Sequence, residues 1–168
     1  MSKIQVMDEV LANKIAAGEV VERCMNVVKE LVENAIDAKS KEIHIDLVDS
    51  GVKEIKVTDD GIGMDREDAE LAFSRHATSK LKQIDDLFHI DSLGFRGEAL
   101  PSIASVSDVT LKTSNKESGT EIHISGGKIL SVENGELRSG TSILVKDLFY
   151  NTPVRLKYLL NLYTELSY

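Results

Sequence analysis

Two carboxylates and an amide recur at helical spacing early in the chain. Glu30, Asn34 and Asp37 are separated by four and three residues, so on a helix of 3.6 residues per turn they fall within a wedge of roughly 60°. The amide oxygen of Asn34 is a hard ligand that suits Mg²⁺, which takes one or two protein oxygens beside waters and phosphates. Glu30, one turn earlier, could orient or deprotonate a water. A merely solvated helix face is the alternative for this stripe.

The residues around this stripe predict the helix that positions it. Between residues 20 and 38 the apolar residues recur at helical spacing and leave charged residues opposite. These apolar residues are Val21, Val28, Leu31, Val32 and Ala35. Asn is a middling helix former, so the position of Asn34 within a good helix indicates a local role.

A glycine turn after a predicted strand forms the second cluster. Residues 53–58 alternate between apolar and polar side chains and are followed by Asp59, Asp60, Gly61 and Gly63. Glycines let a flat ligand lie against the backbone, and a carboxylate at the end of a strand can accept a hydrogen bond from the exocyclic amine of adenine. An ordinary turn is the alternative for this motif taken alone.

Two glycines before a predicted helix form the third cluster. Gly94 and Gly97 bracket Phe95 and Arg96, and residues 98–105 are predicted to be helical. Backbone N–H groups at a helix N-terminus, with the helix dipole behind them, attract anions, and glycines permit a close approach. We expect a triphosphate to dock there, with an ordinary loop and helix cap as the alternative.

The segment upstream of that loop adds hydroxyls and cations. Residues 75–80 read Arg-His-Ala-Thr-Ser-Lys, and residues 74–92 have the mixed polarity and weak periodicity of a mobile lid. The three clusters together predict an ATP site. The common nucleotide-binding motifs do not fit, because Arg66 occupies the place of the third glycine of a Rossmann fingerprint and no P-loop motif is present.

Four longer strings resemble the MutL family of DNA mismatch-repair proteins. They are residues 13–23, 75–80, 93–100 and 149–157, and the resemblance covers essentially the whole chain. MutL belongs to the GHKL ATPase superfamily, with type II topoisomerases, a heat-shock chaperone and sensor histidine kinases. The resemblance therefore implies a Bergerat-type GHKL ATPase fold.

The resemblance also implies a role for each matched position. Glu30 corresponds to the general base that activates the attacking water, Asn34 to the ligand of the phosphate-bridging Mg²⁺, and Asp59 to the aspartate that reads adenine. Asp37 corresponds to a supporting residue, and Thr141 completes the base pocket through water. The matched nucleotide-binding positions are Asn34, Asp37, Ala38, Asp59, Gly61, Gly63, Met64, Thr78, Ser79, Lys80, Gly94, Phe95, Arg96, Gly97, Glu98, Ala99, Leu100 and Thr141.

The family resemblance implies a Mg²⁺-dependent ATPase that works as a switch. ATP orders the lid over residues 75–100 and brings two MutL-like chains together through their N-terminal regions. The dimer then signals to mismatch-recognition proteins and to nicking or unwinding repair proteins. The implied location is the cytoplasm, with association to the nucleoid during repair.

The chain departs from the family pattern at two positions and in its length. Cys24 replaces a proline, and Lys39 replaces a glycine. If Lys39 occupies a left-handed helix cap, we expect a cost on the order of 1 kcal/mol. MutL proteins continue into a second ATPase-module domain, which supplies a lysine to the γ-phosphate, and into a dimerisation domain. We therefore expect residues 1–168 to form one ATP-binding domain with weak turnover.

Charge and composition limit the partners of the chain. It has 168 residues and a net charge of −8. Residues 1–100 hold 21 acidic and 13 basic side chains, whereas residues 101–168 hold seven of each. Because neutralised phosphates supply most non-specific DNA affinity, we expect weak DNA binding. No apolar run has the length of a membrane span and no signal peptide is apparent, so the sequence predicts a cytoplasmic protein without a membrane partner.

The remaining segments predict an α/β (α+β) two-layer sandwich, a mixed β-sheet with helices on one face. Strands are predicted at residues 42–48, 53–58, 109–113, 121–125, 128–132 and 141–145, and helices at 9–17, 20–38, 65–73, 98–105 and from 153. Two alternatives to a MutL-like domain are a sensor kinase ATPase domain and a nucleotide-free interaction module. No helical dimerisation segment with an acceptor histidine precedes Glu30, which disfavours the kinase.

Overall fold

A computed structural model of the chain describes residues 5–74, 98–159 and 165–167. The strands are β1 Ile43–Val48, β2 Glu54–Asp59, β3 Asp108–Ser114, β4 Gly119–Ser125, β5 Lys128–Asn134 and β6 Gly140–Lys146. The helices are α1 Glu9–Val20, α2 Cys24–Asp37, α3 Arg66–Leu71, α4 Ala99–Ser105 and α5 Pro153–Tyr158, with a 3₁₀ turn at Asp49–Gly51. Apart from Ser74, the predicted lid at residues 74–92 lies outside the described residues.

The six strands form one sheet in the order β1-β2-β6-β3-β4-β5. The sheet is predicted as mixed, but each of the neighbouring pairs described here is antiparallel. The neighbouring strands are antiparallel because of the position of the last strand, β6. Strands β2 and β3 run in the same direction and are joined by a long connection, yet they are not neighbours, because β6 inserts between them and opposes both.

One face of the sheet is buried against the helices. Along the central strands the buried residues alternate with half-buried or exposed ones, as in Ile55 and Val57 of β2 and Leu111 of β3. These side chains join Val27 and Leu31 of α2 in one hydrophobic core. A period of two in the strands and of 3.6 in the helices therefore gives two layers, which confirms the predicted sandwich.

The helix predicted over residues 20–38 is divided, which is a correction to the sequence prediction. Val20 ends α1, so the first helix runs past residue 17, and α2 begins only at Cys24. The side-chain oxygen of Asn26 accepts hydrogen bonds from the backbone N–H groups of Arg23 (2.8 Å) and Glu22 (3.2 Å), which caps the second helix. The apolar spacing does not reveal this break, because buried residues such as Val21 and Cys24 continue across it.

Cys24 fits the position where the family has a proline. It is the first residue of α2, where a side chain need not follow helical preferences closely. Burial and the nearby Glu165 carboxylate raise the pKa of the thiol to about 12. The side chain is 2% exposed and packs in the core, so it acts there as a small apolar group.

The C-terminal end of α2 is a Schellman motif built on Lys39. The backbone N–H of Lys39 donates to the carbonyl of Ile36 (2.9 Å), and that of Ser40 donates to the carbonyl of Ala35 (3.3 Å). Lys39 has a φ of 62°. The condition posed from the sequence, that Lys39 occupies a left-handed helix cap, is therefore met.

Replacing Lys39 with Gly is expected to raise the free energy of unfolding by about 1 kcal/mol, because glycine adopts positive φ without a steric cost. This corresponds to a rise of about 2–4 °C in Tm for a chain of this size. Chemical denaturation followed by circular dichroism measures the change. Lys41→Gly is the matched control, since Lys41 is exposed beside the same turn and has no positive φ. A Lys39→Gly variant no more stable than the parent would contradict the assignment of strain.

Candidate functional site

The stripe of Glu30, Asn34 and Asp37 lies on α2, as the spacing predicts. All three side chains are half-buried. The side of the helix next to this stripe, which includes Val27 and Leu31, is buried against β2 and the core. The buried apolar side therefore holds the helix in place, and the two carboxylates and the amide lie along its border.

The end of α2 meets the glycine turn after β2. The carbonyl of Ala38 accepts a hydrogen bond from the backbone N–H of Ile62 (2.9 Å). A Cβ added at Gly61 would lie 2.7 Å from both the Ala38 carbonyl oxygen and the Ser40 hydroxyl. The structure thus brings the first two clusters together. It also gives a second reason for glycine at position 61, because the chain itself approaches Gly61 too closely for a side chain.

Asp59 is the buried carboxylate of this junction. It is the last residue of β2 and is 8% exposed. Its Oδ1 accepts a hydrogen bond from the backbone N–H of Gly61 (2.8 Å). Burial raises the pKa of Asp59, and the hydrogen bond from the Gly61 N–H opposes that rise.

Three segments of the chain meet around Asp59. Gly61 follows β2, Ser40 follows α2 and Thr141 belongs to β6. A carboxylate offers about four lone-pair sites and the Gly61 N–H occupies one of them, so the group can accept from a further donor. The exocyclic amine of adenine is a donor of that kind. Asp60 contrasts with its neighbour, because it is exposed and the N–H groups of Glu42 and Lys41 lower its pKa.

A polar row crosses the buried face of the sheet at Asp59. The strand register places Asp59 opposite Thr141, Thr141 opposite Thr113, and Thr113 opposite Thr120. Cross-strand partners share one face of a sheet. The neighbouring positions of that face are aliphatic, such as Val57, so this edge is a polar part of the core, and its groups are suited to a polar ligand.

Thr113 connects this row to the glycine turn. Its Oγ1 lies 2.8 Å from the Thr141 hydroxyl and accepts a hydrogen bond of 3.0 Å from the backbone N–H of Met64. Sequence reasoning missed both Thr113 and Ser40. A threonine within a predicted strand is unremarkable, and only the register between strands could have placed Thr113 beside Thr141.

Gly63 holds the turn against the end of β3. It has a φ of 67°, and a Cβ at this position would collide with the backbone carbonyl of Ser114. Met64 follows, half-buried, and packs against the core. Gly63 and Met64 therefore fix the turn after β2 against the end of β3.

Most of the third cluster, and the segment upstream of it, lie beyond the residues that the structure describes. The site residues predicted there are Thr78, Ser79, Lys80, Gly94, Phe95, Arg96 and Gly97. Glu98 precedes α4 and Ala99 and Leu100 lie in its first turn, all half-buried. Helix α4 packs on α1 and β4, whereas α2 packs on β2. The start of α4 is thus positioned through α1 and β4, whereas the α2 stripe is positioned through β2.

The residues present suit ATP and Mg²⁺ in their chemistry. A buried carboxylate with an adjoining row of hydroxyls can read a base edge, and Asn34 offers the single protein oxygen that phosphate-bound Mg²⁺ needs. Within residues 5–74, 98–159 and 165–167, no three His, Cys, Asp or Glu side chains gather as a metal cluster. Across the same residues, no helix has the length and apolar character to cross a membrane.

Comparison with known protein sequences agrees with this geometry. The family described as Histidine kinase-, DNA gyrase B-, and HSP90-like ATPase matches residues 22–148. The DNA mismatch repair protein MutL of Staphylococcus aureus strains Newman and JH1 is 59% identical over 168 residues. That match covers 99% of this chain and 25% of the relative, so the chain spans about a quarter of the length of the curated proteins it matches.

Solved structures show the same similarity. The N-terminal domain of a DNA repair protein has a TM-score of 0.75 and 31% identity, covering 92% of this chain and 44% of that one. The Aquifex aeolicus MutL ATPase domain complexed with ADP has a TM-score of 0.64 and 34% identity, covering 87% of this chain and 51% of the other. The chain belongs to the family of histidine kinase-, DNA gyrase B- and HSP90-like ATPases, and within that family it is similar to the ATPase domain of MutL.

Proposed function

We propose that residues 1–168 form a single Mg²⁺-ATP-binding domain of a MutL-like mismatch-repair protein. The observation that carries the proposal is the buried Asp59 carboxylate, which accepts a hydrogen bond from the Gly61 N–H and stands at the end of a polar row. The ADP complex of the similar Aquifex aeolicus domain supports a nucleotide as the ligand. Burying a carboxylate without a function would only lower stability.

In this proposal the two ends of the site do different work. Asp59 accepts a hydrogen bond from the exocyclic amine of adenine, with Gly61, Gly63, Met64 and Thr141 around the base. Direct contact with an amine donor gives strong selectivity, because a base without that donor leaves the buried carboxylate short of a partner.

The α2 stripe serves the phosphate end in the same proposal. Asn34 would hold Mg²⁺ through its amide oxygen, and bound Mg²⁺ would neutralise charge on the phosphates. Glu30, one turn away, orients a water and accepts its proton, while Asp37 supports this part of the helix. Ala38, Glu98, Ala99 and Leu100 complete the proposed nucleotide contacts, together with the matched residues between 78 and 97.

The wider role is also part of the proposal. Nucleotide binding would order the lid over residues 75–100 and favour association with a second MutL-like chain, which signals to mismatch-recognition, nicking or unwinding proteins. Named MutL relatives of this chain support repair as its context. We also retain two expectations from the sequence, weak binding of DNA and weak turnover by residues 1–168.

Calorimetric titration of a non-hydrolysable ATP analogue with Mg²⁺ into the chain tests this function. We expect saturable binding to one site, reduced when Mg²⁺ is replaced by a chelator. Glu30→Ala should bind with an affinity within about threefold of the parent, because its role lies in hydrolysis and not in base recognition. If the folded parent chain shows no binding, the proposed function is wrong for these residues.

A further inference from the structure

We propose that Thr113 is a positioning residue for adenine recognition, which acts through Thr141 and the Met64 turn without touching the nucleotide. This inference rests on the proposed ATP-binding function and deepens it. Thr113 is 4% exposed and lies in β3, one strand farther from Asp59 than the half-buried Thr141. Its influence on a ligand must therefore pass through its neighbours.

The hydroxyl of Thr113 holds together three separate parts of the base pocket. Its Oγ1 accepts from the Met64 N–H (3.0 Å), pairs with the Thr141 hydroxyl (2.8 Å) and lies 3.4 Å from the Gly140 carbonyl oxygen, to which it can donate. Met64 belongs to the turn after β2, and Gly140 and Thr141 begin β6. One side-chain atom thus links β3 to the turn and to the strand that flanks Asp59.

The proton count of this arrangement gives Thr113 control over Thr141. A hydroxyl has one proton and two lone pairs. The Met64 N–H occupies one lone pair of Thr113, so its proton goes either to Thr141 or to the Gly140 carbonyl. If Thr113 donates to Thr141, the Thr141 hydroxyl keeps its own proton to donate into the pocket. If Thr113 donates to the Gly140 carbonyl, Thr141 donates to Thr113 and presents a lone pair to the pocket. The state of Thr113 therefore sets whether Thr141 presents a donor or an acceptor beside Asp59.

A purely structural role would have a different signature. Thr113 also fills buried volume, so removing its hydroxyl is expected to lower stability whatever the ligand does. A structural defect would lower the affinity for all nucleotides by a similar factor. Loss of positioning would instead weaken ATP more than a nucleotide whose base lacks the exocyclic amine, since only the amine contact depends on the exact placement of Asp59 and Thr141.

The test compares two ligands in calorimetry, a non-hydrolysable ATP analogue and the matching purine nucleotide without the exocyclic amine. For Thr113→Val we expect ATP-analogue affinity to fall about fivefold to tenfold, the size of one lost hydrogen bond. The affinity for the amine-free nucleotide should change less, so that the ratio of the two affinities shrinks. Thr113→Ser keeps the hydroxyl and should restore the parent ratio.

Controls separate this inference from the proposed function. Thr120→Val removes a buried hydroxyl from the same row, one strand farther from Asp59, and should leave the ratio unchanged. Thr113→Ala carries the same expectation as Thr113→Val and replaces it if the valine variant fails to fold. Equal losses for both ligands, or an unchanged ratio, would overturn the positioning role while leaving ATP binding intact. A parent chain that binds neither ligand would overturn both proposals.

Discussion

The Asp59→Asn variant is expected to lose at least about 100-fold in affinity for a non-hydrolysable ATP analogue. The change replaces a carboxylate oxygen, which accepts hydrogen bonds, with an amide N–H₂ donor in a buried position that already faces the Gly61 N–H. A hydrogen bond to a charged group contributes about 1.5–3 kcal/mol, and a mispaired donor adds to that loss. Isothermal calorimetry measures the affinity directly.

Asp60→Asn is the matched control for this prediction. It makes the same chemical change one residue away, on a carboxylate that is exposed and bonded to the N–H groups of Lys41 and Glu42. We expect its affinity to stay within about threefold of the parent, because screened surface charges contribute little. Equal losses in the two variants would show that net charge, and not base recognition, controls binding.

The Asp59→Asn substitution is also expected to change how the free energy of unfolding depends on pH. Burial raises the folded-state pKa of Asp59 above its ordinary value of 3.8. The folded state therefore holds this proton more tightly than the unfolded state, and the stability it contributes is lost as pH rises through the folded pKa. Asn does not titrate, so the difference in free energy of unfolding between Asp59→Asn and the parent should shift in favour of the variant as pH rises through that window.

The α2 stripe and the strand end were accessible to sequence reasoning because each rests on local periodicity. Glu30, Asn34 and Asp37 share a side of any helix that contains them, and alternation predicts a strand that ends near Asp59. The left-handed cap at Lys39 was raised only as a condition, because the family resemblance implies a glycine there, and the φ of 62° meets that condition.

Features that depend on distant pairing were not accessible. The insertion of β6 between β2 and β3 places Thr113 beside Thr141, although 28 residues separate them. The break between α1 and α2 was hidden because buried residues continue across it, and only the cap formed by Asn26 reveals it. The predicted roles of the individual site residues stay predictions, which the variants proposed here address.

Gly140 shows how the approach of two strands fixes a residue type at the base pocket. It begins β6, has a φ of 108° and is buried. A Cβ at this position would collide with the backbone carbonyl oxygen of Asp59. Two separate effects therefore oppose any side chain here, an unfavourable backbone conformation and a clash with the strand that carries the proposed base reader.

Gly140→Ala is expected to lower the free energy of unfolding by about 3 kcal/mol, since strain at positive φ and overpacking against backbone each contribute about 1–3 kcal/mol. Gly127→Ala separates the two effects. Gly127 has a φ of 86°, but the nearest atom to an added Cβ is the Ser105 Cα at an ordinary 3.6 Å. We expect this control to lose only about 1 kcal/mol, measured by denaturation under the same conditions.

The difference between these glycine variants also bears on the ligand. Relief of the clash in Gly140→Ala requires the end of β2 to move, and with it Asp59, so ATP-analogue affinity should fall about tenfold or more at a temperature where the variant is folded. Gly127→Ala, at the turn between β4 and β5, should bind as the parent does. If Gly140→Ala matches Gly127→Ala in both stability and affinity, the backbone of β6 absorbs the methyl group, and the close contact between Gly140 and Asp59 does not position the base-reading carboxylate.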